Sequence, residues 1–318
     1  RYPNLPITPR DVDNMARDEG MAALHAAPEW ARFIEQMRAV AAEQEAAARR
    51  ASAQWVADTE GRALKPINAK SRYQPAVPGF ALYYAPVDTV QVPYLVYVPR
   101  SYRPTTAAPP LVYLHGGIVS TTQFQHRDPD VVEEPIFAAA DQQQALVLYP
   151  FGRKSFGWLE QPAALANILR MVEQVKARYH VDPRRVYLGG MSNGGTAAFW
   201  FACQQPAGFA GFYALSAMPA SQLGPLNFAR LSGKAPLYSL SAEDDQVYAF
   251  REVRAIYEQH RAQAPQWHFL SRPSGGHGFL YGPDGPTALQ GLLAQLMARP
   301  SGSAARKPQA APGNAPQR

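Results

Sequence analysis

The chain has 318 residues, 47% of them hydrophobic and 18% charged, a composition that suits one large globular core or two smaller ones. Its net charge of +6 falls to +2 without residues 299–318, which hold Arg299, Arg306, Lys307 and Arg318 and no acid, so the basic face a nucleic-acid partner needs is not indicated. No run of about 18 apolar residues predicts a membrane span, and the single Cys203 excludes an intrachain disulfide and a cysteine metal cluster.

Residues 9 to about 60 are predicted helical. Trp30, Phe33, Ile34, Met37 and Val40 recur at helical spacing, and Pro28 fits a first turn. This segment reads as a helical extension packed on the main domain, with a lid or partner-binding helix as the alternative. Residues 65–80, "KPINAKSRYQPAVPGF", are rich in proline and read as a linker. Residues 1–79 therefore form an N-terminal extension, 80–298 the main domain, and 299–318 a disordered Pro-, Ala- and Gly-rich tail.

From Phe80 onward strands alternate with helices. "VQVPYLVYVP" (90–99) is β-like, with Pro93 marking an edge strand or a strand start. "PLVYLH" (110–115), "ALVLYP" (145–150) and "RRVYLGG" (184–190) are short apolar runs, as in strands buried on both faces. Helical spacing covers 161–180, and 196–206 reads as a helix. Strands follow at 209–217 and 235–241, a helix at 247–262, a strand at 266–270 and a closing helix at 286–298. This pattern predicts an α/β fold with a mainly parallel sheet and helices on both faces. Ligands of such sheets sit at the carboxyl ends of the strands.

Gly190-Met191-Ser192-Asn193-Gly194 fits G-x-S-x-G between a strand and a helix. Glycines there permit a sharp turn that lifts Ser192 out as a nucleophile. A serine hydroxyl needs a base. His277, in "SGGHGF" directly after a strand, is the candidate. His268 within that strand reads as structural, and His260 as a helix-end residue. The orienting acid is expected between the two, where "YSLSAEDDQVYAF" offers Asp245 as the favoured residue and Asp244 as the alternative. The order Ser192, Asp245, His277 is that of α/β-hydrolases. An oxyanion hole is expected from the backbone N–H groups of Asn193 and of Gly117, with Ile118 as its neighbour, in "HGG" after an early strand. His115 should buttress that loop.

The segments "VDPRRVYLGGMSNGGTAAFWFACQQPAGFAGFYALSA", "YLVYVPRSY…PPLVYLHGG" and "DDQVYAF" resemble bacterial esterases related to polyhydroxybutyrate depolymerases and to feruloyl or acetyl-xylan esterases. The resemblance covers roughly residues 80–298. It implies an α/β-hydrolase fold and serine esterase chemistry with Ser192, Asp245 and His277 as the triad, no metal or organic cofactor, and a small or polymeric ester as substrate. With the missing initiator Met, it points to a periplasmic or secreted protein, with a cytoplasmic one as the alternative. The helical extension and "FGRKSFGW" (151–158) depart from the family pattern. Phe151, Phe156 and Trp158 in that loop either line an acyl or aryl pocket or pack the loop on the domain. Arg153 and Lys154 read as solvated charges, with binding of an acidic substrate group as the alternative.

Two other functions remain to be separated from an esterase: a serine peptidase of the same fold, and a non-catalytic binding protein on a hydrolase scaffold.

Overall fold

The computed structural model describes residues 7–63, 72–75, 77–119, 126–233 and 235–298. The predicted tail and part of the predicted linker lie outside these residues. The chain begins with α1 (Pro9–Arg17), a short turn of helix α2 (Ala22–His25) and the long α3 (Pro28–Ala63). Thr8 and Asp11 form a reciprocal capping box at α1. Pro28 opens α3 as its sequence position predicts. Of the five residues at helical spacing, Ile34 is buried against Val12 of α1, and Trp30 and Met37 pack on the same cluster. Phe33 and Val40 stay exposed, because α1 covers only a narrow stripe of α3.

The C-terminal half of α3 docks on the main domain. Trp55 and Val56 pack against its core. Trp55 Nε1 donates to the carbonyl of His126 at 3.0 Å, Ser52 Oγ to that of Arg127 at 2.6 Å, and Arg62 to that of Pro78 at 2.6 Å.

The domain is one eight-stranded sheet: β1 (Gly79–Val87), β2 (Val90–Val98), β3 (Pro110–Leu114), β4 (Leu146–Pro150), β5 (Tyr187–Met191), β6 (Gly211–Leu215), β7 (Leu237–Ala242) and β8 (Trp267–Arg272), ordered 1-2-4-3-5-6-7-8. β1, β2 and β4 pair antiparallel, and every later pairing is parallel. Pro93 lies in the second strand, just outside the β2–β4 ladder of Tyr94–Tyr97, so its missing N–H breaks no bond to β4.

Helices α4 (Pro135–Gln143), α5 (Pro162–Arg178), α6 (Asn193–Gln204), α7 (Phe250–His260) and α8 (Gly285–Met297) cover the sheet. Alternate residues of each strand face opposite ways. Val112 and Leu114 join the core shared with α5 and α6, whereas Leu111 and Tyr113 join the core under α4 and α8. Both faces are buried, which explains the continuous apolar runs in the central strands.

Candidate active site

Ser192 stands between β5 and α6 with φ 53° and ψ −119°, a backbone conformation that L residues rarely adopt. Its N–H donates to the carbonyl of Leu215 on β6 at 2.8 Å, so the strained turn is held by the neighbouring strand. The glycines make room for β3. A Cβ at Gly190 would lie 2.1 Å from the Leu114 carbonyl oxygen, and one at Gly194 would lie 1.7 Å from it. The crowding that requires these glycines is therefore against β3, rather than against the serine itself. A Cβ at Gly116 would stand 3.1 Å from Ser192 Cβ, which leaves the loop after β3 seated beside the hydroxyl.

His277 and Asp245 converge on this hydroxyl from loops after β8 and β7. His277 Nε2 lies 2.9 Å from Ser192 Oγ, and His277 Nδ1 lies 3.0 Å from Asp245 Oδ2. Asp245 is 3% exposed, and its other oxygen accepts the N–H groups of Val247 and Tyr248 at 2.8 and 2.9 Å. Those bonds leave one carboxylate edge for the imidazole. The Tyr248 and His277 rings meet in a T-shaped arrangement, with centroids 5.2 Å apart. Asp244 serves the loop instead. It accepts the N–H groups of Gly275 (3.1 Å) and Gly276 (2.7 Å), and these bonds hold its carboxyl below the usual range. Both glycines have positive φ, 121° and 61°, which lets the chain turn back onto Asp244 before delivering His277.

On the other side of Ser192, Gly117 (φ 71°) and Asn193 line the same cavity. Asn193 opens α6, where first-turn N–H groups lack intrahelical partners, and its Nδ2 donates to Tyr248 at 3.0 Å. His115 lies beneath this loop. Its Nε2 accepts the N–H of Gly152 at 3.0 Å, so the proton sits on Nδ1 and is donated to the Gly116 carbonyl at 2.7 Å. Burial pushes its pKa down to about 4, so the ring is neutral. It ties the loop after β3 to the loop after β4, the buttressing its position predicts. Ile118 is buried, filling space left by Gly152 and Gly157.

The cavity beside Ser192 measures about 440 Å³. Phe151, Phe156 and Trp158 are not among the residues lining it. Phe151 and Trp158 are 2% and 3% exposed and pack around His115, with Trp158 edge-on to the imidazole. Phe156 packs against the core. The aromatic loop thus supports the floor of the site rather than its wall, because Gly152 lets Trp158 fold inward. The wall is built from residues the sequence did not single out: Glu134, Tyr149, Met191, Val247, Tyr248 and Tyr281. Cys203 is buried in α6, and its thiol is pushed up to about 12.

The strand order, the turn at Ser192 and the side chains gathered at the strand ends define the α/β-hydrolase fold. The model of the dienelactone hydrolase family matches residues 151–288, the span that contains Ser192, Asp245 and His277. A bifunctional acetylxylan esterase/xylanase of Neocallimastix patriciarum is 24% identical over 172 residues, 53% of this chain and 23% of that protein. The chain thus spans about a quarter of the curated relative it matches. Among solved structures, a ferulic acid esterase superposes with a TM-score of 0.54 at 18% identity, covering 69% of this chain and 96% of that one. An acylaminoacyl peptidase of Pyrococcus horikoshii superposes with a TM-score of 0.54 at 14% identity, covering 69% and 41%. These likenesses establish the fold, and the family match supports a hydrolase.

Proposed function

We propose that the protein is a serine hydrolase of carboxylic esters working through an acyl-enzyme. The observation that carries this reading is the hydrogen-bonded row Asp245–His277–Ser192, at 3.0 and 2.9 Å, ending in a serine held at positive φ.

Asp245 accepts a hydrogen bond from Nδ1–H, which keeps the proton on that nitrogen and leaves Nε2 as the base facing Ser192 Oγ. As Oγ attacks the ester carbonyl, its proton passes to Nε2, and Asp245 stabilises the imidazolium. Negative charge moves to the carbonyl oxygen, beside the N–H groups of Gly117 and Asn193. Each such donor is worth roughly 10²–10³ in kcat. The imidazolium gives its proton to the departing alcohol. Water then attacks the acyl-enzyme, deprotonated by the same nitrogen, and the acid leaves.

Hydrolysis of p-nitrophenyl acetate, butyrate and octanoate by the wild type and by Ser192→Ala tests this reading. Turnover lost in a folded variant supports it, and equal turnover in both proteins refutes it. The same row serves peptidases of this fold, so aminoacyl p-nitroanilides in the same assay separate amide from ester cleavage. A folded wild type without turnover on either panel points to a narrow substrate, a site closed by the N-terminal helices, or a binding protein.

A further inference from the structure

Glu134 occupies the N-cap position of α4, and its side chain makes no capping bond to the helix. It turns into the cavity beside Ser192. There it meets only hydroxyls: Tyr149 Oη at 3.3 Å, and Tyr281 Oη at 3.3 and 3.4 Å from its two oxygens. The hydroxyl of Tyr113, whose ring is fully buried and stacked on Tyr149, lies close to the same carboxylate. Among the described residues no lysine or arginine lines this cavity. Asp130 and Glu133 border the adjoining recess, which shares Glu134 and Tyr281. Among the described residues this corner is therefore acidic, and its only ionisable bases are the imidazoles of His115 and His277.

Glu134 is half-buried, and a carboxylate that loses part of its hydration with no cation beside it is disfavoured. Burial raises the pKa of Glu134, and the three tyrosine hydroxyls only partly oppose that. The missing partner is a positive charge. The rings of Tyr248 and Tyr281 line the same cavity and offer the aromatic surface a quaternary ammonium favours, while Tyr149, stacked between Tyr113 and His115, contributes its hydroxyl. The adjoining acids add a field of the same sign.

We propose that Glu134 and the surrounding tyrosines form a subsite for a cationic, ammonium-bearing portion of the ester substrate. The proposal rests on the esterase reading above. The charge sits on either the acyl or the alcohol side, so both are tested.

The test compares kcat/KM for butyrylcholine against 3,3-dimethylbutyl butyrate, its uncharged carbon isostere. A second pair places the charge on the acyl side: p-nitrophenyl 4-(trimethylammonio)butyrate against its uncharged isostere. Wild type, Glu134→Gln and Ser192→Ala are assayed with both pairs. The expected result is a preference of at least about ten-fold for the charged member of one pair in the wild type. In Glu134→Gln this preference collapses toward unity. Ester turnover that depends on Ser192 but shows no preference for either cation overturns the subsite and leaves the esterase reading standing. Preferred hydrolysis of neutral polyol acetates would likewise overturn it, assigning the carboxylate to substrate hydroxyls. Loss of all Ser192-dependent turnover removes the esterase reading and the subsite with it. The wild-type ratios decide the matter even where Glu134→Gln fails to fold.

Discussion

Asp244 and Asp245, adjacent in sequence, grip different parts of one loop: Asp244 binds the backbone at Gly275 and Gly276, and Asp245 binds the His277 ring. Their roles should separate by mutation. Asp245→Asn is expected to lower kcat by roughly 10³–10⁴, because the amide no longer fixes the imidazole tautomer. Asp244→Ala is expected to lower it by only about ten-fold, through misplacement of a ring that keeps its partner. Steady-state kinetics of both variants on p-nitrophenyl butyrate checks the ranking, and equal losses would contradict it.

His115 gives the fold a pH dependence of definite sign. The unfolded ring titrates near 6.5 and the folded ring near 4. Between these values the unfolded chain takes up a proton that the folded chain refuses, so stability falls as pH drops through this window. From pH 6.5 to 5 the loss is roughly 1.5 kcal/mol. Urea unfolding across this range should show that extra slope in the wild type and not in His115→Gln.

Two glycines are expected to respond oppositely to alanine. At Gly194 the new Cβ would collide with the Leu114 carbonyl oxygen, a backbone atom that cannot swing aside. Gly194→Ala should cost about 4 kcal/mol or more, or fail to fold. At Gly291, exposed within α8, nothing lies within 4 Å of the added carbon. Gly291→Ala should stabilise by about 0.5–1 kcal/mol through helix propensity. Thermal melts of the two variants test the contrast.

Trp55 links α3 to the segment that leads to Glu134. It packs against Phe80 with ring centroids 5.5 Å apart and donates to the His126 carbonyl. Trp55→Ala is expected to destabilise by about 2–4 kcal/mol. The urea midpoint should move at unchanged slope. A lower slope instead would mean that α3 unfolds as a separate unit.

Most of the sheet and the convergence of Ser192, Asp245 and His277 were legible in the sequence because each follows from local rules. Apolar runs mark strands, and Ser192, Asp245 and His277 each stand directly after one. Other parts were hidden for physical reasons. β1 follows a proline-rich stretch and is covered on one side by α3 and on the other by α5, so its residues do not alternate cleanly. The short α4 offers little periodicity. Glu134 reads as an ordinary acid at a helix start, and only the fold shows that its side chain turns away from the helix. For Phe151 and Trp158 the sequence left two readings, a pocket wall or packing of the loop on the domain. Their place after a strand points to the cavity, while Gly152 and Gly157 open the space that draws this loop inward.

β8 lies at the border of the sheet, hydrogen-bonded to β7 alone among the described strands, and it is only partly buried. The loop carrying His277 begins where that strand ends. Border strands open at lower free energy than central ones, and a small excursion of β8 would draw the imidazole away from Ser192 while β3, β5 and β6 stay paired. Under mild heat or denaturant, activity should therefore disappear before the bulk of the molecule melts, and return as quickly as one strand can re-pair.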